Sequence, residues 1–227
     1  MKNNRSLQLD PDFININQLS TKRPPEDSLF WMLWNQNIKT AEEALHTDFI
    51  QGIKNGTLDP VTYGGFNVSD AYYCFHGAEG YQTAAAKAET PVLKAFLLKK
   101  YQGYESYNAT FPTIWHIKDA DGIVPSEVCK AYSEFESTVA QNQEAIYTLI
   151  AMIPCEYLWA WLGEQLSPAA DTNLYKPWID GNNDPSGAYA MGNFIDAYQK
   201  VHEIDVDLAL QIYSQAMTYE YQNFKTA

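Results

Sequence analysis

At 227 residues, with a formal net charge of −13 and a pI near 4.6, the chain can bury one large core, and its surface repels phosphate backbones and anionic lipid. That balance argues against nucleic-acid or membrane partners, and an apolar fraction of 46% is that of a globular protein rather than a disordered one. Cys74, Cys129 and Cys155 are odd in number, lack CxxC spacing and follow an opening without an apolar signal core, so free thiols in a reducing cytoplasm are expected.

Residues 1–25 are polar and end in Arg23, Pro24 and Pro25, the pattern of an amino-terminal arm laid over the surface, which leaves 26–227 as a single domain. The string EDSLFWMLWNQN brings Phe30, Trp31 and Trp34 together at helical spacing, and HTDFIQGIKNG reads as a short second helix closed by Gly56. Asp59 before Pro60 is a cap with proline at the first helical position and opens a long third helix. Thr90 before Pro91 repeats the signal. From Tyr101 to Pro125 a helix gives way to a turn-rich loop, and SEVCKAYSEFESTVAQ then resumes an amphipathic pattern.

The next stretch, Glu144–Leu166, is apolar on nearly every face, as a central buried helix is, and Pro154 inside it is expected to kink the chain beside Cys155. NLYKPWIDGNNDPSG reads as a connection leading to a helix capped by Asp184 and Pro185, and DVDLALQIYSQAMTYEYQNF as the last helix. No period-2 strand pattern and no repeat competes, so the fold expected is an all-α bundle of seven or more helices.

Polar residues interrupt two apolar stripes. In the third helix Tyr63, Phe66, Asp70, Tyr73 and Gly77 step by three or four, and in the last Leu210, Tyr213, Met217, Glu220 and Phe224 do the same. A buried carboxylate without a partner costs several kcal/mol, so Asp70 and Glu220 each need either a buried tyrosine or a ligand-binding cleft. Cys155 has two readings as well, a small core hydrophobe or a thiol on a cleft. With Trp159 one turn further on and Tyr132 on the preceding helix, thiol, carboxylates and aromatic rings form a set suited to a flat, polarised heteroaromatic ligand.

FIQGIKNGTL, then SDAYYCF with Asp70, IPCEYLWAWLGEQL, LYKPWIDG and TYEYQNF resemble, in order and spacing over Phe49 to Phe224, the successive signatures of the TenA, or thiaminase II, family. The resemblance implies a heme-oxygenase-like helical bundle without heme or other cofactor, assembled as a homotetramer or homodimer, that acts on the aminopyrimidine half of thiamin. It implies that Cys155 adds to the pyrimidine ring, that Glu220 serves as acid and base, that Asp70 binds the ring amino group, and that Tyr73 and Tyr132 hold the ring.

Two positions depart from the family pattern. Trp159 stands where a tyrosine is usual, and Asn182 where another would follow the tryptophan-isoleucine pair, so a different or larger ring is expected in the pocket. His76 and Glu79 are three apart but read as a surface pair, and no metal is assigned. Beside an aminopyrimidine hydrolase of thiamin salvage stand two alternatives, a non-catalytic or altered-specificity binder of a small heteroaromatic molecule and an oxidase on the same scaffold.

Overall fold

The computed structural model describes residues 14–227, and every regular element among them is helical. In order these are α1 (Leu29–Leu45), α2 (Asp48–Asn55), α3 (Pro60–Lys87), α4 (Pro91–Asn108), α5 (Phe111–Ile114), a 3-10 turn (Ala120–Gly122), α6 (Glu127–Asn142), α7 (Ile146–Leu166), α8 (Lys176–Asn182), α9 (Ser186–Tyr198) and α10 (Val206–Thr226). The starts are set locally. Asp59 accepts hydrogen bonds from the amides of Val61 and Thr62, Thr90 from Leu93, Ser126 from Cys129, and Asp205 from Asp207 and Leu208, each cap contributing about 1 kcal/mol. Gly56 ends α2 at a φ of 68°, where a side chain would be strained.

The apolar run becomes the axis of the molecule. Helix α7 packs against α3, α6, α8, α9 and α10, and it continues through Pro154 to Leu166 as one helix. It is long and apolar enough to cross a bilayer, but 78% of its apolar window is buried inside the bundle, as befits a core helix. On one side of it α3 pairs with α4 and α6, and on the other α1 packs on α9 and α10. The aromatic residues of α1 lock onto α7, since the Phe30, Trp31 and Trp34 rings all meet Tyr157 edge-on at 4.6–5.6 Å, arrangements worth about 1 kcal/mol each beyond their area.

One element gains a boundary that the sequence left open, and another differs from the expectation. The segment Tyr101–Asn108 belongs to α4, which places Tyr104 and Tyr107 on a rigid helix. Lys176–Asn182 is a helix rather than a connection; seven residues are too few to display a period, and only burial of Trp178 and Ile179 reveals it. Helix α8 lies very close to α7 because position 163 is glycine. A Cβ there would stand 2.8 Å from the Asn182 carbonyl carbon and 2.9 Å from the Asn183 nitrogen. Gly163→Ala is expected to push α8 outward and lower stability by about 1–3 kcal/mol in chemical denaturation; an unchanged midpoint would mean the two helices are not held at that spacing.

Of the expected arm, residues 1–13 lie outside the described residues. Residues 14–25 contain no helix and run across the bundle. The Trp31 indole donates to the Pro24 carbonyl at 3.0 Å, and Asn193 donates to the carbonyls of Ser20 and Lys22.

Candidate active site

Helices α3, α4, α7, α8 and α9 line most of a cavity of about 870 Å³, and each of the first four contributes polar or aromatic residues one turn apart. Helix α3 supplies Asp70 and Cys74, α4 supplies Tyr104 and Tyr107, α7 supplies Cys155 and Trp159, and α8 supplies Trp178 and Asn182. Spacings of three and four residues are what place two side chains on one face of a helix. Tyr104 comes close because Gly77 faces it: a Cβ at Gly77 would stand 2.8 Å from the tyrosine ring. Its hydroxyl lies 3.8 Å from Cys155 Sγ.

Four of the residues expected from the sequence therefore share one cavity wall: Asp70, Cys155, Trp159 and Asn182. The other three stand behind that wall. Glu220, on α10 and 2% exposed, accepts a hydrogen bond of 3.0 Å from the Trp159 indole N–H. The change from tyrosine to tryptophan thus keeps a donor at this place, now aimed at the carboxylate. Tyr73 and Tyr132 are buried and stacked on each other at 4.9 Å, and Tyr132 stacks in turn on Tyr219 of α10. Asn182 turns its amide back to its own helix, donating to the Trp178 carbonyl at 2.8 Å, and so leaves open space where a larger ring would project.

Burial without compensating cations sets the electrostatics. It pushes the Asp70 carboxyl up to about 7, a hydrogen bond from Cys74 only partly opposing it. Glu220 is pushed up to about 7 for the same reason, against hydrogen bonds from Trp159, Tyr132 and Cys155. Burial, followed by the charges of Glu220, Asp70 and Glu136, drives the Cys155 thiol well above its usual value. Lys100 lines the same cavity but is ion-paired with Glu156, also on its wall. A neutral thiol flanked by two carboxyls that titrate near neutrality is an arrangement in which a carboxylate can take the thiol proton as sulfur attacks.

Sequence reading passed over three residues here. Tyr104 and Tyr107 were hidden by the unplaced end of α4. Glu136 was legible, because Cys129, Tyr132, Ser133, Glu136, Val139 and Ala140 form the buried stripe of α6, with a glutamate in its midst. It is 4% exposed and accepts a 2.9 Å hydrogen bond from the Tyr73 hydroxyl. His76 and Glu79 do meet, at 3.0 Å, on the surface. Among the described residues no three His, Cys, Asp or Glu side chains converge as metal ligands.

Comparison with known proteins adds a family. The TENA/THI-4/PQQC family model matches residues 34–226. The mitochondrial bifunctional TH2 protein of Arabidopsis thaliana is 23% identical over 91% of this chain, which spans 38% of that relative's length. Among solved structures, a TenA family transcription regulator from Silicibacter sp. TM1040 superposes with a TM-score of 0.75 at 17% identity, covering 89% of this chain and 97% of that one. A TenA homologue from P. horikoshii OT3 gives the same score and identity over 88% and 97%. A putative TenA-like thiaminase from Sulfolobus solfataricus P2 gives 0.68 at 15% over 86% and 94%. At such identities these structures establish the all-α fold.

Proposed function

Because the chain belongs to the TENA/THI-4/PQQC family, we propose that it is a hydrolase of the thiaminase II type, acting on an aminopyrimidine of thiamin salvage. The observation that carries this reading is the meeting of Cys155, Asp70 and Trp159 on one cavity, with Glu220 bonded to the Trp159 indole directly behind. In the proposed reaction Asp70 binds the ring amino group and Trp159 lies against the ring. Glu220 accepts the proton of Cys155 as sulfur bonds to an electron-poor ring carbon. Where the leaving group is an amine, Glu220 passes that proton to the departing nitrogen as the C–N bond at the exocyclic methylene breaks. Water then adds at that methylene, sulfur is expelled from the ring, and the proton lost by water returns to the thiol through Glu220. A thiazolium instead leaves as neutral thiazole, so Glu220 keeps the proton for sulfur and the proton lost by water goes to solvent. The net change is one C–N bond exchanged for one C–O bond, giving hydroxymethylpyrimidine and a free amine or thiazole.

A cavity of about 870 Å³ exceeds a single ring, and the absence of a second tyrosine at Asn182 supports a substrate carrying a large substituent. One observation favours a second reading, that of a binder: burial and neighbouring carboxyls hold the thiol in its poorly nucleophilic form. The name of the Silicibacter structure suggests regulation, but a net charge of −13 does not support contact with DNA.

The test is incubation of the protein with an aminomethyl aminopyrimidine and with thiamin, following hydroxymethylpyrimidine by chromatography and the melting temperature in parallel. Turnover of either compound supports the hydrolase. A raised melting temperature without product supports the binder, since a ligand bound only to the native state stabilises it. Neither effect with either compound removes the aminopyrimidine from consideration.

A further inference from the structure

Among the described residues, the hydroxyl that meets Cys155 Sγ is that of Tyr104, at 3.8 Å, a reach that the size of sulfur allows. The tyrosine is built into this place from α3. Helix α4 carries it along that helix, Gly77 leaves room for its ring, and the buried Tyr81 ring meets it edge-on at 5.3 Å. Burial holds the Tyr104 phenol well above its usual value, so at any working pH the oxygen carries its proton and donates a hydrogen bond. The neighbouring phenol of Tyr73 is engaged elsewhere. Its hydroxyl donates to Glu136 Oε1 at 2.9 Å and has Met152 Sδ as its second acceptor, at 3.8 Å.

A sulfur in this setting needs such a donor. The acidic groups around it, Glu220 of α10, Asp70 of α3 and Glu136 of α6, all oppose charge on it when they are ionised. The two lysines on the cavity wall are held by other partners, Lys100 by Glu156 and Lys99 by the Ile16 carbonyl. We propose that Tyr104 is a further catalytic residue of this site, its hydroxyl stabilising the negative charge that gathers on Cys155 Sγ between loss of the thiol proton and bonding to carbon, an inference that rests on Cys155 being the nucleophile. The phenol keeps its own proton throughout. Glu220 takes the thiol proton, and the hydrogen bond from Tyr104 strengthens as charge develops on sulfur and relaxes once the C–S bond has formed. An interaction stronger in the transition state than with the resting thiol accelerates the step, which a purely structural contact would not do.

The experiment follows alkylation of Cys155 by iodoacetamide in the full-length protein, from pH 7 to pH 9, with peptide mapping to separate it from Cys74 and Cys129. Tyr104→Phe removes one oxygen and leaves the ring. The thiolate fraction is expected to fall about tenfold and the remaining thiolate to become about threefold more reactive, so Cys155 should label roughly threefold more slowly at each pH. Taking an atom from the cavity wall widens the approach and would speed labelling, so altered access cannot imitate this result. Cys74, on the same cavity, should label at its native rate, and so should Cys155 in Tyr107→Phe, where the oxygen lost belongs to the next cavity-lining tyrosine of α4. An unchanged or faster rate at Cys155 in Tyr104→Phe overturns the proposal. Equal slowing at Cys74 or in Tyr107→Phe also overturns it, by making the effect a general one of the wall. With a substrate that turns over, kcat of Tyr104→Phe should fall by about three- to tenfold at near-native KM, and a native kcat would deny the residue its catalytic role. Labelling requires no turnover, so slowed labelling in a protein that hydrolyses neither the aminopyrimidine nor thiamin would end the hydrolase reading and leave the hydrogen bond to sulfur standing.

Discussion

Replacing Cys155 with serine is expected to reduce hydrolysis of the aminopyrimidine by on the order of a thousandfold or more in kcat, because an alcohol is a far weaker nucleophile than a thiol toward an electron-poor ring carbon. The swap is nearly isosteric, and Cys155 is only half-buried on the cavity wall, so the melting temperature should move little. Cys74 is the necessary control. It lines the same cavity, with its sulfur 3.9 Å from an Asp70 carboxyl oxygen. Its thiol is held up by burial first and then by the charge of Asp70, and no base of the Glu220 kind is hydrogen-bonded to it apart from that binding carboxylate. Cys74→Ser should therefore retain most of the rate. Comparing kcat for the two variants decides the assignment: a native rate in Cys155→Ser, or loss confined to Cys74→Ser, would make Cys74 the nucleophile.

The parts of this site that the sequence announced are those where a polar residue breaks a long periodic stripe. Asp70 and Glu220 stand out against Phe66, Tyr73, Met217 and Phe224 because helices α3 and α10 run for 28 and 21 residues, long enough for a period to be visible. Cys155 and Trp159 stand out through the proline beside the thiol, the one-turn spacing between them and the family resemblance, and not through a stripe, since α7 is apolar on nearly every side and offers no face to contrast them with. Distance along the chain hid the rest. That Trp159 would donate to Glu220, 61 positions away, or Tyr73 to Glu136, 63 positions away, depends on how α7 crosses α10 and how α3 crosses α6. No local pattern encodes such crossings. The division between the cavity wall and the layer behind it is likewise a property of packing; Tyr73 lies on the same stripe as Asp70 yet is turned away from the cavity, against α6.

Glu220→Gln is expected to stabilise the protein at neutral and alkaline pH while removing most of its activity. Burial raises the Glu220 carboxyl from an ordinary 4.5 to about 7, so between those values the native state holds a proton that the unfolded chain has released. Stability must then fall as pH rises through that window, and above pH 7 the native state carries a buried charge whose cost is on the order of 3 kcal/mol. Below about pH 4.5 both states are protonated and the penalty is absent. Glutamine retains a carbonyl oxygen for the Trp159 indole, so the main packing contact survives the change. Its amide hydrogens need acceptors, which offsets part of the gain and leaves an expected increase of about 1–2 kcal/mol at pH 8, vanishing toward pH 4.5. Hydrolysis should fall by roughly 100- to 10,000-fold in kcat, because the amide neither accepts the thiol proton nor returns it to the leaving nitrogen. Denaturant unfolding from pH 4 to pH 9 reads the first effect and steady-state kinetics the second. Parallel stability curves for the two proteins across that range would show that Glu220 ionises as it does in the unfolded chain, and with it would go the base poised near neutrality that the proposed reaction requires.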